Sequence, residues 1–198
     1  MGNTLLRTTG ITLAWGMLLS GTAFPSPTHE RIIGSPSSGR MQNAAPLEPE
    51  GPGWIKLFQV RERIYGSSPL LDLIRTASEK MQQLFPGRER LQIGDLSARD
   101  GGAITRHHSH QNGLDADIAY LHRDEIEQDP QADGFEFDML TPEGKVSPHF
   151  DPERNYRLLA SLARDPRTQR IFIDRNLIHS LCRHAKRVTS PQDRDPVF

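Results

Sequence analysis

The chain has 198 residues, with 24 basic and 25 acidic side chains and a formal net charge of −1. That length suits one ordinary domain with a core that needs no disulfide staples. The balanced charge argues against a nucleic-acid partner, which calls for a basic excess or stripe, and 35% hydrophobic residues exclude a chain that is a membrane protein throughout.

The first residues differ from the rest. Arg7 is the only Lys, Arg, Asp or Glu before Glu30, and Ile11 to Phe24 is an apolar or small-residue run. The run is too short for a bilayer span. Gly21-Thr22-Ala23 supplies small residues for a cleavage site, so residues 1–23 read as a secretory signal peptide. The mature chain then begins near Phe24, in the periplasm or outside the cell. Residues 24–55, rich in Pro, Gly and Ser, read as an extended arm, and 56–198 as the main domain.

Ser68-Pro69 opens a helix, with serine as cap and proline in the first turn. Leu70, Ile74, Ala77, Met81 and Leu84 mark its buried face, and Pro86-Gly87 ends it. Residues 90–98, "RLQIGDLSA", read as a short strand. After the turn at Asp100-Gly101-Gly102, residues 113–121, "GLDADIAYL", read as a second strand. Alternation puts Leu114, Ala116, Ile118 and Tyr120 on one face and Asp115 and Asp117 on the other. Residues 122–148 form a long polar excursion. Asp151-Pro152-Glu153 starts a second helix, with Tyr156, Leu159, Leu162 and Ala163 inward. Residues 170–173, "RIFI", read as a third strand, and a helix carries the single cysteine, Cys182, as a small buried residue rather than a nucleophile. The expected class is α+β: a small, mostly antiparallel central sheet flanked by helices, with an incomplete C-terminus.

Chemistry concentrates in residues 106–117, "RHHSHQNGLDAD", which hold three histidines and two aspartates. Gly113 lets the chain turn between His110 and Asp117, so a loop imidazole and a strand carboxylate can converge on one ion. Asp115, on the same face, is placed to hydrogen-bond a ligand imidazole. His107 fits a ligand, an orienting group or a substrate contact. Composition and spacing are equally compatible with a solvated loop whose acids cap backbone donors. His108 and His122 read as surface residues, and His149 and His29 carry no assigned role. His179 and His184 are spaced wrongly on a helix to act as a bidentate pair.

The pattern H-x-S-H-Q-x-G-x-D-x-D-I, His107 to Ile118, resembles the first zinc motif of the penicillin-insensitive murein endopeptidases, zinc peptidases related to lysostaphin-type and D-Ala-D-Ala metallopeptidases. "GSPSSGRM" at 34–41, "RERIYGSSPLLDLI", "IGDLSARDGG" and "RIFIDRNLIHSLC" resemble other family segments in order, so the similarity runs from about residue 33 to about residue 187. The resemblance implies that residues 56–198 form a peptidase-like domain and that His110 and Asp117 are zinc ligands, with His107 at or beside the metal. It implies hydrolysis of the D-alanyl–meso-diaminopimelyl link in peptidoglycan. The family also has a His-x-His strand supplying a third zinc ligand and a catalytic histidine. No histidine follows His184, so that catalytic residue is expected beyond the chain's end. The expected chain is then a C-terminally truncated enzyme, a decayed homologue, or one in which His107, His179 or His184 substitutes. Other readings are a non-catalytic peptidoglycan-binding homologue and a D-Ala-D-Ala carboxypeptidase or dipeptidase.

Overall fold

The computed structural model describes residues 29–188. The expected signal peptide, residues 1–23, lies outside the described residues. Among the described residues, three α-helices and several short sheets make an α+β fold.

The segment after His29 runs as short β pairs. β1 (Arg31–Ser35) and β2 (Ser38–Gln42) form an antiparallel hairpin. β3 (Ala45–Pro46) pairs antiparallel with β6 (Tyr65–Gly66). β4 (Glu50–Gly51), β5 (Trp54–Lys56) and β7 (Leu91–Ile93) form a three-stranded sheet, antiparallel between β4 and β5 and parallel between β5 and β7. β5 and β7 are buried along their whole length, as a strand covered on both faces must be.

Helix α1 (Ser68–Leu84) is capped by Ser67, whose side chain accepts from the Leu70 amide at 3.4 Å. The cap therefore sits one residue before the expected Ser68, while Pro69 stays in the first turn. The Glu30 carboxylate accepts from the Ser68 amide at 3.0 Å, placing negative charge at the helix N-terminus. The buried stripe is Leu71, Ile74, Ala77, Ser78 and Met81. Leu70 is only partly buried and Leu84 is exposed, because the stripe continues onto Phe85 instead.

Helix α2 (Pro152–Arg164) starts as expected: Asp151 accepts from the amides of Glu153 and Arg154 at 3.0 and 3.1 Å. It is the central helix. Leu158 and Leu162 pack with α1 and the sheet around Trp54, Leu91 and Ile93. Tyr156 and Leu159 pack with α3 (Arg175–Val188) through Leu177, Leu181 and Ala185. Ala163 and Cys182 are half-buried.

Two expected strands are absent. Residues 113–121 run beside β7 through a single bridge, Ile93 to Ile118, and remain an extended segment. Leu114 is exposed, and the buried residues there are Gly113, Ala119 and Leu121. Residues 170–173 keep a strand's alternation, with Ile171 and Ile173 packed inward and Phe172 outward, but no backbone pairs with them among the described residues. The strand expected over 90–98 contracts to Leu91–Ile93.

The excursion at 122–148 contains no helix or strand. It is anchored at Gln128, whose amide donates to Gln92 at 2.8 Å and whose side-chain oxygen accepts from the Glu136 amide at 2.6 Å. His122, expected at the surface, is buried instead: its Nδ1 lies 2.5 Å from Glu89 Oε1. Glu89 also accepts from Arg154 at 3.1 Å, so burial of the imidazole comes with a charged network that satisfies it. His149 is exposed and pairs with Asp124. No helix among the described residues is long and apolar enough to cross a membrane.

Lys56 on β5 is 0% exposed, and its Nζ donates to the Leu57 carbonyl. Burial pushes the ammonium down to about 8 from 10.5, with Asp95 and Asp117 opposing the fall. Between those two values the unfolded chain binds the extra proton, so stability rises with pH across that window. Lys56→Met therefore raises the unfolding free energy at pH 7 by up to about 3 kcal/mol, read as a higher urea midpoint. That advantage shrinks as pH climbs from about 8 towards 10.5 in paired denaturation curves.

Candidate metal centre

The loop at 106–113 is held by backbone geometry before any ligand is considered. Arg106 and His110 adopt left-handed φ values of 70° and 62°, and Gly113 has φ 69°. Non-glycine residues rarely take that conformation, and where they do it marks a constrained turn. Gly113 donates to Ser97 Oγ at 2.8 Å, and its carbonyl accepts from the Ser67 amide at 2.8 Å. A Cβ at 113 would lie 2.2 Å from Met41 Sδ and 2.9 Å from the Ser67 nitrogen. The loop is thus pressed against the capped start of α1.

Asp117 is placed by main-chain pairing with the end of β7. The Gly94 amide donates to the Asp117 carbonyl at 2.8 Å, and the Asp117 amide donates to the Asp95 carbonyl at 3.0 Å. Gly94 allows this approach, since a Cβ there would meet Asp117 Cβ at 3.0 Å and Phe135 Cζ at 3.1 Å.

His107, His110 and Asp117 converge, with one donor atom from each lying within 4.8 Å of the others. His110 Nε2 is 3.2 Å from Asp117 Oδ1, and His107 Nδ1 is 3.8 Å from Asp117 Oδ2. Two donors of a tetrahedral zinc site stand roughly 3.4 Å apart, given bonds near 2.1 Å. The two separations, which run to different oxygens of Asp117, lie near that value, and the donor set of two imidazoles and a carboxylate is one that zinc accepts. The set fits a metal.

The groups behind the donors differ. Asp115 backs His110: its Oδ2 accepts from the His110 amide at 3.1 Å, and its carbonyl lies 3.3 Å from His110 Nδ1. This leaves Nε2 facing Asp117, the side-by-side placement expected of the two acids. Burial alone would lower the His110 imidazole, but its bond to Asp117 and the charges of Asp117 and Asp115 outweigh it and raise it above the ordinary histidine value. Asp95 backs His107, whose Nε2 is 3.0 Å from Asp95 Oδ2. Asp95 is fully buried and also accepts from Arg61 at 2.7 Å and Arg63 at 2.9 Å. Burial pushes its carboxyl up, but the two guanidiniums prevail and hold it below the usual carboxylate range. Arg61 reaches on to Asp133 of the excursion at 2.7 Å, and Arg106 meets the same acid at 3.1 Å.

Asp95 went unassigned in the sequence because it reads as one polar residue within a strand. A lone acid between Ile93 and Leu96 was the available signal. His108 is exposed as expected. His179 is exposed on α3, and His184 packs against Tyr156 with ring centroids 5.7 Å apart, so neither joins the cluster.

A family model described as penicillin-insensitive murein endopeptidase matches residues 32–192. The chain is similar to a protein of that name from Haemophilus influenzae, 29% identical over 160 residues, covering 77% of this chain and 54% of the relative. It is similar to another from Yersinia enterocolitica, 28% identical over 179 residues, covering 86% and 64%. A third, from Yersinia pestis, is 28% identical over 174 residues, covering 83% and 62%. The chain therefore spans between about half and two thirds of the length of these curated relatives.

Gly113→Ala is expected to lower stability by roughly 2–3 kcal/mol, through left-handed strain and overpacking against Met41 and the Ser67 backbone. Chemical denaturation measures the loss, and a cost under about 0.5 kcal/mol would show that the loop is not pressed against α1 as described.

Proposed function

The chain belongs to the penicillin-insensitive murein endopeptidase family, and from that premise we propose that it is a zinc-dependent endopeptidase of peptidoglycan, hydrolysing the D-alanyl–meso-diaminopimelyl cross-link. The observation that carries this reading is the clustering of His107, His110 and Asp117, with one donor atom from each within 4.8 Å of the others. Three protein donors with a further position open to water is the pattern of a catalytic zinc site. The proposed ligands are His110 Nε2, Asp117 and His107 Nδ1, with Asp115 orienting His110. When bound, zinc polarises a carbonyl and lowers the pKa of a bound water.

The chain's own residues supply placement. Asp115 fixes which nitrogen of His110 is free, through contacts at both the His110 amide and Nδ1. Gly94 leaves room for Asp117 and Phe135 against its backbone, and Phe135, 48% exposed, offers an apolar surface on the same side of β7. That surface suits the aliphatic part of a stem peptide. The proposed setting is the periplasm, reached through a signal peptide at 1–23, with the peptidase domain at 56–198 preceded by the 24–55 arm.

The full chain, incubated with cross-linked muropeptide dimers, is expected to release monomers in a reaction abolished by a zinc chelator, restored by zinc and unaffected by β-lactams. His110→Ala lowers the rate at least about 100-fold. Mass analysis of the products separates this cut from removal of a terminal D-Ala. Cleavage that persists without zinc and in His110→Ala would refute the reading. Chelator-insensitive binding of dimers without turnover would favour a peptidoglycan-binding role.

A further inference from the structure

Asp95 lies outside the donor triad, and its placement is unusually determined. Its backbone carbonyl is fixed by the Asp117 amide at 3.0 Å, so one main-chain contact sets the spacing between this acid and a donor. Its Oδ2 receives three groups: Arg61 at 2.7 Å, Arg63 at 2.9 Å and His107 Nε2 at 3.0 Å. Its other oxygen, Oδ1, is buried without a hydrogen-bond partner among the described residues. A carboxylate clasped by two guanidiniums has no proton to give, so the imidazole must donate the bond between them. A neutral imidazole with its proton on Nε2 carries its lone pair on Nδ1. Nδ1 is the atom that faces Asp117, 3.8 Å away.

We propose that Asp95 is a positioning residue that holds His107 as the Nε2–H tautomer and so makes its Nδ1 a metal donor. The inference rests on the metal reading above and adds to it the residue that prepares the third donor. Arg61 and Arg63 serve this role by occupying the same carboxylate oxygen, which keeps it an acceptor towards His107. The competing role, a purely structural anchor for two arginines, makes no demand on which nitrogen of His107 carries the proton.

That difference is the test. Long-range proton–nitrogen correlation spectra of the full chain, labelled with nitrogen-15 and free of metal at neutral pH, are expected to show His107 protonated on Nε2 and bare on Nδ1. Zinc affinity is then measured by competition with a chromophoric chelator. Asp95→Asn is expected to weaken zinc about 10–100-fold and to change the His107 tautomer ratio, with His110→Ala as the reference for loss of a donor. A wild-type His107 protonated on Nδ1 overturns the proposal, as does a folded Asp95→Asn protein that binds zinc like wild type. If Asp95→Asn does not fold, the wild-type tautomer decides alone. Failure of the metal reading has a different signature: zinc binding absent, or equal in wild type and His110→Ala, whatever the state of His107.

Discussion

The site depends on a short backbone exchange between the end of β7 and the segment that carries Asp117. Three hydrogen bonds join them, from Gly94, Asp117 and Ala119, each between 2.8 and 3.0 Å. β7 is itself buried and locked in parallel to β5, so the carboxylate at 117 hangs from a strand buried along its whole length. The histidine loop arrives from the other side, stapled to the start of α1 through Gly113. Side chains on rigid elements hold their geometry more precisely than side chains on free loops. Here a loop residue and an extended segment gain that rigidity by being attached to a strand and a helix cap.

Buried charge does much of the remaining fastening. Among the described residues the sheets have two or three strands, and many polar groups enter the interior with their partners. Glu89, His122, Arg154 and Asp151 form one such network, joining the start of β7, the excursion and the N-terminus of α2. Arg61, Arg63, Asp95 and His107 form the second. Each links segments more than ten residues apart, and removing one partner would strand the others without water, which is where such networks are most sensitive. The first supports the helices, whereas the second ends at His107, one of the three converging side chains.

What could be read from the sequence divides along the range of the interactions. The starts of α1 and α2 were legible because Ser67 or Ser68 with Pro69, and Asp151 with Pro152, act within one turn. The pairing of His110 with Asp117 was legible because six residues and a glycine fix it locally. The strands at 113–121 and 170–173 were misread because alternation states which side chains face inward and is silent on whether a neighbouring backbone is there to pair. Leu84 was misplaced by following the helical stripe one residue out of phase at its last turn. Asp95 and His122 escaped notice for one reason: their roles come from Arg61, Arg63 and Glu89, all more than thirty residues away. No local pattern announces a buried acid whose partners come from elsewhere.

The double attachment of Asp133 gives the excursion a graded response to ionic strength. Its bond to Arg106 joins two side chains that are 61% and 59% exposed, and counterions screen such a pair readily. The Arg61 guanidinium, 12% exposed and anchored on Asp95, is largely shielded from them. Rising salt would thus loosen the rim at Asp133 while the interior clasp on His107 stays shut, so that brine and fresh water would meet the same buried side chains behind entrances of different stiffness.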